Sequence, residues 1–350
     1  MAGASSSPGI DVAAVAAFCD RHGIGAGPTR VQRLGDGHSN LTYLVVRDGA
    51  RVVLRRPPPP PLPPSAHDMV RESGIVAALH RAGARVPEVL AVCDDESVLG
   101  VPFYLMTLAE GVPIDTQLPR EIADATECAR LGADIVDALV ELHAIDVRAA
   151  GLDRFGRPDG YLARQVRRFL GLWETNRTRD LPLVAEVGAA LAAAVPGSGP
   201  ATVVHGDYRV GNLLAAPDAP GRVSAILDWE LATVGDPLAD LGYLVSTYAD
   251  SRPPPAEGIV ELSPVTRRAG FPTRDELVAR YAERTGRPVG RLAWYEALAH
   301  WKAAIFCENM YKRFLAGERR DAFARAMERG VPARLEAAAA AVARDRATAP

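Results

Sequence analysis

The N-terminal third of the chain alternates between short apolar runs and turn residues. The apolar runs lie at 31–34, 41–46, 51–55, 86–92 and 102–106. A glycine-rich turn at 35–40 separates the first two runs, and the pair Asp48 and Gly49, a typical β-hairpin signal, separates the next two. This pattern of apolar runs and breakers predicts a small antiparallel sheet.

Further along, the apolar residues recur at helical spacing. An amphipathic helix is predicted over 124–144, because apolar residues return there at every third or fourth position. These residues are Leu131, Ile135, Leu139 and Leu142. Helical spacing or end signals also mark the stretches 65–81, 160–169, 273–286, 291–316 and 335 onwards. Strands early and helices later favour a mixed α+β fold.

Two short apolar runs in the middle of the chain end in polar groups. Asp207 and Asn212 stand five residues apart after the run at 203–204, and Asp228 follows the run at 225–227. A carboxylate can orient a hydroxyl nucleophile, and carboxylate and amide oxygens are ligands that Mg²⁺ prefers. This combination predicts phosphoryl transfer. One such Asp and Asn pair alone would equally suit a buried β-hairpin with polar turns.

The spacing of these groups is similar to that of the protein-kinase catalytic loop, where an Asp precedes a metal-binding Asn by five residues. His-Gly-Asp at 205–207 and Leu-Asp-Trp-Glu at 227–230 resemble the aminoglycoside phosphotransferase and choline kinase superfamily, and the stretch 233–241 continues that pattern. The chain most resembles the phosphotransferase branch that is also found fused to acyl-CoA dehydrogenases.

The resemblance implies a protein-kinase-like fold with two lobes. Residues 1–108 are expected to form a small antiparallel-sheet lobe that covers the nucleotide, with residues 1–9 disordered. Residues 109–350 are expected to form a large, mainly helical lobe that carries the catalytic and substrate-binding groups. The hinge between the lobes is predicted near 106–111.

The resemblance also implies roles for the central polar residues. Asp207 is expected to be the catalytic base that orients the acceptor hydroxyl and receives its proton. Asn212 and Asp228 are expected to hold Mg²⁺. The residues expected to support this loop are His205, Arg209 and Asp240.

The turn at 35–40 is a candidate phosphate-binding loop. Gly35 and Gly37 lack a Cβ, so backbone amides there can approach a phosphate, and Ser39 can add its hydroxyl or amide. Glycine-rich hairpin turns are common, so only the motifs around Asp207 and Asp228 favour the phosphate-binding interpretation.

Arg55 is predicted to clamp the nucleotide phosphates, where kinases carry a lysine on the third strand. Arg56 is the competitor, because successive strand residues point to opposite faces. Glu72, on the next predicted helix, stands where kinase-like proteins pair a glutamate with the phosphate-binding cation. The alternatives are a surface arginine and a solvated glutamate.

Composition limits the remaining function classes. The chain has 350 residues, of which 48% are hydrophobic, and a net charge of −3, so it lacks an overall basic field for nucleic acid. No apolar run approaches the ~20 residues of a membrane span, and the N-terminus does not resemble a signal peptide. The cysteines form no close pair: Cys19, Cys93, Cys128 and Cys307. A reduced, cytoplasmic protein is therefore expected.

The predicted reaction is ATP- and Mg²⁺-dependent phosphorylation of a hydroxyl on a small molecule. The resembling branch implies a hydroxyacyl acceptor, including a hydroxyacyl-CoA, whereas the broader family implies an aminoglycoside. An anionic acceptor is favoured because the segment 245–315 is balanced or basic. Its basic residues include Arg267, Arg268, Arg274, Lys302, Lys312 and Arg313. A non-catalytic, pseudokinase-like nucleotide-binding module is the alternative of another class, and arginine at the clamp position favours it.

Overall fold

The structure is a computed structural model of the chain. It describes residues 10–35, 40–58, 67–114, 118, 122, 124–219, 221–250 and 258–348. Gly37, Ser39 and residues 1–9, which carried predictions above, lie outside the described residues. The chain forms two compact units: Met1–Glu110 with Leu227–Glu230, and Gly111–Ile226 with Leu231–Pro350. A segment from the middle of the chain thus belongs to the unit that the N-terminal residues build.

The first unit is built around one antiparallel sheet. Its elements are α1 (Val12–Arg21), β1 (Ala26–Leu34), β2 (Leu41–Asp48), β3 (Ala50–Arg56), α2 (Met69–Arg81), β4 (Val89–Cys93), α3 (Glu96–Leu99) and β5 (Phe103–Thr107). The strands are ordered β1–β2–β3–β5–β4. The small antiparallel sheet predicted from the apolar runs is confirmed.

Local signals explain the ends of these elements. Gly49 has a φ of 78°, which lets β2 turn directly into β3 so that Arg47 pairs with Ala50. Helix α2 begins at Met69 rather than near residue 65, because the carboxylate of Asp68 accepts a hydrogen bond from the amide of Arg71 and caps the helix.

The second unit is mainly helical with short strands. Its elements are β6 (Val112–Pro113), α4 (Ala125–His143), α5 (Tyr161–Asn176), α6 (Leu183–Ala193), β7 (Thr202–Val204), β8 (Leu213–Ala215), β9 (Val223–Ile226), β10 (Thr233–Gly235), α7 (Leu238–Thr247), α8 (Arg274–Thr285), α9 (Leu292–Leu315) and α10 (Ala322–Thr348). Strand β7 pairs with β10, and β8 lies between β6 and β9. The α+β class is confirmed.

The core of the second unit lies between α5, α6, α9 and α10. Trp294 and Trp301 of α9 are almost completely buried there, and their indole nitrogens donate to the backbone oxygens of Leu191 (3.2 Å) and Val184 (2.9 Å) in α6. These two aromatic residues of α9 therefore pack the core. No helix in the described part of the chain is long and apolar enough to cross a membrane.

The last helix is longer than the sequence indicated. Helix α10 begins at Ala322, not near 335, and continues past Pro332. The carboxylate of Asp321 accepts a hydrogen bond from the amide of Ala324 at 2.9 Å, which starts the helix.

Candidate active site

One buried carboxylate holds the loop that follows β7. Asp240, in the first turn of α7, accepts hydrogen bonds from the backbone amides of His205 (2.6 Å) and Gly206 (2.8 Å). Nε2 of His143 lies 3.3 Å from the same carboxylate. Burial alone would raise the pKa of Asp240, but these hydrogen bonds and the imidazoles of His143 and His205 hold it below its ordinary value. The carboxylate therefore stays ionised and fixes the start of the loop.

The backbone of this loop is anchored on both sides of Asp207. Gly206 has a φ of +86°, and a Cβ there would lie 2.9 Å from the backbone oxygen of Leu231, so glycine is required. On the other side, the buried Tyr208 donates its hydroxyl to the backbone oxygen of Ile135 in α4 at 2.7 Å. The position of Asp207 is thus determined by its neighbours in sequence.

Asn212 orients the carboxylate of Asp207. Its Nδ2 donates to Oδ2 of Asp207 at 2.8 Å and to the backbone oxygen of the same residue at 2.9 Å. A short 3₁₀ turn at Val210–Asn212 places the side-chain amide of Asn212 beside Asp207. Nδ1 of His205 accepts a hydrogen bond from the amide of Asp207 at 3.2 Å. The side chain of Asp207 remains 22% exposed, so an acceptor can reach it.

A tyrosine and two cations surround the same carboxylate. The hydroxyl of Tyr243 hydrogen-bonds to Asp207, and burial and this carboxylate raise the pKa of Tyr243 well above its ordinary value, so it stays protonated. Nε of Arg209 lies 3.6 Å from Oδ2 of Asp207. Burial lowers the pKa of the half-buried Lys302 to about 8, although Asp240 and Asp207 are close enough to oppose that shift. Positive charge therefore lies near the candidate base.

In the first unit, Arg55 lies between two carboxylates. Its Nε is 2.6 Å from Oε1 of Glu72 in an ion pair without good hydrogen-bond alignment, and its Nη2 donates to Oδ1 of Asp228 at 2.5 Å. Burial alone would lower the pKa of Arg55, but these carboxylates raise it. Arg56 instead donates to the backbone oxygen of Pro57 at 3.3 Å. Arg55 is thus the arginine that pairs with the helix glutamate.

Glu72 is held from a second side as well. The buried hydroxyl of Tyr104, on β5, donates to Oε1 of Glu72 at 2.9 Å. Burial raises the pKa of Glu72, and Arg55 and Tyr104 oppose that shift. The glutamate therefore depends on both partners for its charge.

A second polar cluster ties the segment 227–230 to the sheet of this unit. Nδ2 of Asn40 donates to Oε2 of Glu230 at 2.9 Å, and Oδ1 of Asn40 lies 2.7 Å from Nδ1 of His67. His67 and Asp228 both have positive φ, 61° and 69°, a conformation that costs energy for residues with a side chain. Contacts from Asn40 and Arg55 hold these two strained residues in place.

Asn212 in the second unit and Asp228 in the first unit each have an oxygen of the kind that Mg²⁺ prefers. Asn212 donates through Nδ2, so its carbonyl oxygen is left for another partner, and Asp228 contacts Arg55 through Oδ1 only. No hydrogen bond within the described ranges uses the other oxygen of either side chain. Both are hard oxygen donors of the kind that Mg²⁺ binds. In the part of the chain that the structure describes, no group of three or more His, Cys, Asp or Glu could hold a metal by itself.

Comparison with known proteins places this geometry in a family. The model of the phosphotransferase enzyme family matches residues 30–277. The chain belongs to that family. Membership makes it a small-molecule phosphotransferase with a kinase-like fold, which confirms the class of enzyme and the fold predicted from the motifs.

Similar proteins include solved phosphotransferases of about the same length and curated relatives that are much longer. A candidate aminoglycoside phosphotransferase of Ralstonia eutropha has a TM-score of 0.77 and 30% identity, covering 95% of this phosphotransferase and 99% of that chain. A thermostable mutant of aminoglycoside phosphotransferase APH(4)-Ia, in ternary complex with ADP and hygromycin B, has a TM-score of 0.59 at 17% identity. The match covers 96% of this phosphotransferase and 99% of that chain, and at this identity it shows likeness of fold alone.

Acyl-CoA dehydrogenase family member 10 of Mus musculus is 34% identical over 295 residues, which are 83% of this phosphotransferase and 27% of the mouse protein. Acyl-CoA dehydrogenase family member 11 of Gallus gallus is 34% identical over 299 residues, 83% and 38% respectively. The chain therefore spans about a quarter to two fifths of the length of the curated relatives it matches.

The predicted site residues of this phosphotransferase occur as two sets. The set in the second unit is Asp207, Asn212, His205, Arg209 and Asp240, and hydrogen bonds or ion pairs connect all five. The set in the first unit is Arg55, Glu72 and Asp228. Gly35 follows the last residue of β1 with a φ of 64°, and the contacts described above join it to neither set. The functional roles of all these residues stay predictions.

Several residues that contact the predicted site were missed from the sequence. Tyr243 lies three residues after Asp240 on α7, a spacing that places both on one helix face and could have identified it. Asn40 and Glu230 lie within the motifs at 35–40 and 227–230, but the motifs indicate no role for either residue. They are 190 residues apart, so no local pattern could pair them.

Proposed function

We propose that this phosphotransferase transfers the γ-phosphoryl group of ATP to the hydroxyl of a hydroxyacyl compound in a Mg²⁺-dependent reaction. The observation that carries this proposal is the oriented carboxylate of Asp207. Asn212 and Tyr243 donate hydrogen bonds to it, and its side chain is partly exposed. Such a carboxylate is suited to orient a hydroxyl and accept its proton.

In the proposed reaction the acceptor hydroxyl donates a hydrogen bond to Asp207. The hydroxyl oxygen forms a bond to the γ-phosphorus while the bond from that phosphorus to the bridging oxygen breaks, and ADP leaves with that electron pair. Asp207 receives the hydroxyl proton. Little base strength is needed, because the transition state of phosphoryl transfer is loose.

The nucleotide is assigned to the residues of the first unit. We assign Arg55 to the nucleotide phosphates, with Glu72 holding its guanidinium, and Gly35, Gly37 and Ser39 to the loop that covers them. The phosphotransferase solved with ADP and hygromycin B supports a nucleotide in this fold.

Asn212 and Asp228 are assigned as the ligands of Mg²⁺. The metal would offset charge on the phosphate oxygens when it is bound. The oxygen of each side chain that is left without a hydrogen bond supports this assignment. Removal of magnesium with EDTA is expected to abolish ADP formation, and activity that survives EDTA would contradict the assignment.

An anionic acceptor is supported by the charge around Asp207. Lys302 and Arg209 lie near this carboxylate, and Arg168 is close enough to Lys302 to influence its pKa. A polycationic aminoglycoside would be repelled by these groups. The fused relatives are named as acyl-CoA dehydrogenase family members, which is consistent with an acyl acceptor.

The four cysteines are free and buried, in keeping with the proposed cytoplasmic location.

An acceptor panel tests this proposal. ADP release is measured with ATP and Mg²⁺ in the presence of a hydroxyacyl-CoA, the corresponding free hydroxy acid, kanamycin or no acceptor. We expect acceptor-dependent ADP release with either the hydroxyacyl-CoA or the free hydroxy acid, and none with kanamycin. Release with kanamycin alone would replace the proposed acceptor with an aminoglycoside.

One observation favours a second candidate function, nucleotide binding without turnover. Arg55 already occupies an oxygen of Asp228, the proposed metal ligand. If that ion pair persisted, it would compete with Mg²⁺ for the carboxylate. ATP binding without ADP release for every acceptor would support this candidate, whereas any acceptor-dependent turnover excludes it.

A further inference from the structure

A cavity of about 420 Å³ lies within the second unit, and none of the residues assigned above lines it. Its walls come from the end of α7, the stretch 259–262, and helices α9 and α10. Apolar groups of Ile259, Val260 and Leu262 form part of the lining. This volume is in the range of ~300–1,000 Å³ that is usual for small-molecule sites.

A buried cation without a counter-ion lines this cavity. Arg334 of α10 is 4% exposed, and its Nε has no hydrogen-bond partner. Its guanidinium contacts the thiol of Cys307, and no carboxylate among the described residues forms an ion pair with it. A buried charge is costly unless it is paired. The unpaired guanidinium therefore points to an anionic ligand.

A neutral imidazole lies beside this arginine. Burial, together with the charges of Arg334, Arg274 and Arg344, lowers the pKa of His300 to about 3, so the ring carries no charge at neutral pH. Nδ1 of His300 is buried without a hydrogen-bond partner. A ligand that enters the cavity would therefore meet a cation and a free imidazole nitrogen.

The carboxylates of the cavity wall do not neutralise Arg334. Glu296 pairs with Arg344 at 2.7 Å, and Glu261 pairs with Arg267, its Oε2 lying 3.0 Å from the arginine Nε. Glu336 is exposed to solvent. The acidic and basic groups of the lining are equal in number, but only the guanidinium of Arg334 is both buried and free of a carboxylate partner among the described residues.

The cavity is close to the candidate base along one helix. Thr247, which lines the cavity, donates its hydroxyl to the backbone oxygen of Tyr243 at 3.0 Å. The hydroxyl of Tyr243 contacts Asp207, and Arg334 is near enough to influence the pKa of Tyr243. Four residues of α-helix correspond to about 6 Å. Thr247 of the cavity wall is therefore one helical turn from the tyrosine that contacts Asp207.

We propose that this cavity binds the anionic oxygen group and adjoining aliphatic chain of the acceptor, with Arg334 as the group that recognises the anion. The inference rests on the proposed function only in naming this ligand as the acceptor. A carboxylate of a free acid and a phosphate of a CoA ester share this chemistry, and guanidinium binds both. Arg334 thus sets which acceptors are held, while Asp207 acts on the hydroxyl.

Calorimetric titration of the full chain without nucleotide tests this inference. The probes are octanoate, octan-1-ol, octanoyl-CoA and the neutral thioester of octanoate with N-acetylcysteamine. The wild type is expected to bind octanoate or octanoyl-CoA about tenfold or more tightly than the matching neutral probe. Equal binding of charged and neutral probes overturns the inference.

Two variants and a control locate the site. Arg334→Met is expected to remove the preference for the charged probe and leave binding of the neutral probe within about twofold. Ala337→Leu, which fills the cavity wall, is expected to weaken every probe. Arg325→Met, an exposed arginine on the same helix, is expected to change nothing. Wild-type binding in Ala337→Leu overturns the inference even if Arg334→Met does not fold.

The pattern of losses identifies the anion and separates the two proposals. If Arg334→Met loses affinity for octanoate alone, the recognised anion is a carboxylate, and if it loses affinity for octanoyl-CoA alone, the anion is a phosphate. Unchanged binding of both probes by folded Arg334→Met overturns the inference. Arginine-dependent binding without ADP release for any acceptor contradicts the proposed function but leaves the anion site. Acceptor-dependent ADP release with an unchanged KM for the acceptor in Arg334→Met supports the proposed function but contradicts the anion site.

Discussion

The two sets of site residues hold their central charge in different ways. In the first unit Arg55 is paired with two carboxylates, Glu72 and Asp228, at 2.6 and 2.5 Å. In the second unit Asp207 is held by an amide and a hydroxyl, from Asn212 and Tyr243, and its nearest ion-pair contact is 3.6 Å long. In the first set the charged groups are paired with one another, whereas the second is an oriented carboxylate without a close ion pair.

Because of this difference, only the first set is expected to rearrange before phosphoryl transfer. A nucleotide phosphate that binds Arg55 has to compete with carboxylates already in place, so the first set is expected to rearrange. Asp207 needs no rearrangement to accept a hydrogen bond from a hydroxyl. Substitutions in the first unit should therefore alter binding and stability together, and substitutions at Asp207 should alter turnover alone.

The largest expected effect is that of Asp207→Asn. The variant keeps the shape of the side chain and removes the proton acceptor, so turnover should fall by about 10²–10⁴-fold. ADP release gives the turnover, and nucleotide affinity and melting temperature should stay close to wild type. Asp218→Asn, an exposed aspartate of the same unit, is the control. Normal turnover in Asp207→Asn would remove the role proposed for this residue.

Arg55→Met tests the paired charges in the first unit. The change leaves Glu72 buried without its cation, so the free energy of unfolding should fall by about 3–5 kcal/mol and ATP affinity should be lost. Urea unfolding and nucleotide titration measure the two effects. Adding Glu72→Gln should restore much of the stability but none of the ATP affinity. Recovery of both would show that Arg55 is structural only.

Asp240→Asn tests how far the loop around Asp207 depends on one carboxylate. The amide cannot accept both backbone hydrogen bonds, so the free energy of unfolding should fall by about 1–3 kcal/mol at pH 7. The pKa of Asp240 is held below its ordinary value of 3.8 in the folded chain, so its stabilising charge is present above that pH and lost as pH falls through the folded pKa.

Urea unfolding between pH 7 and pH 3 measures this dependence. The difference between wild type and Asp240→Asn should be constant near neutrality and become smaller below about pH 4. A difference that is unchanged at the lowest pH would mean that the ionised carboxylate is not what stabilises the loop.

The smallest expected effect concerns Lys302 and the pH dependence of acceptor binding. Because its pKa is lowered to about 8, Lys302 loses its charge above that pH, and KM for an anionic acceptor should then rise severalfold. Lys302→Arg keeps its charge and should remove this rise. Lys312→Arg, at the only other lysine of the chain, is the matched control. An identical pH profile for all three proteins would exclude Lys302 from acceptor binding.

The sequence was most informative where chemistry and local structure coincide. Apolar alternation predicted the sheet, and the pair Asp48 and Gly49 predicted its hairpin. The motif spacing placed Asp207 and Asn212 on one loop because only five residues separate them, and a short turn can close over that distance. Local geometry determines such contacts.

The remaining contacts depend on residues that are distant in sequence. Nothing near Arg334 indicates that this arginine of α10 is buried beside a cavity, because helices of similar composition are often solvated. The start of α10 was also missed, since its first turns lack the alanine-rich pattern that marked the end. Long-range packing decides both features, and it leaves no periodic signal in a single sequence.

The segment Leu227–Glu230 completes the N-terminal unit only late in translation. The ribosome synthesises the N-terminal sheet long before these four residues, yet Asp228 and Glu230 supply the contacts of Arg55 and Asn40. A sheet that forms before these residues are synthesised therefore lacks their polar contacts while more than a hundred further residues are added. Chaperones that recognise partly assembled domains would meet this unit in that interval.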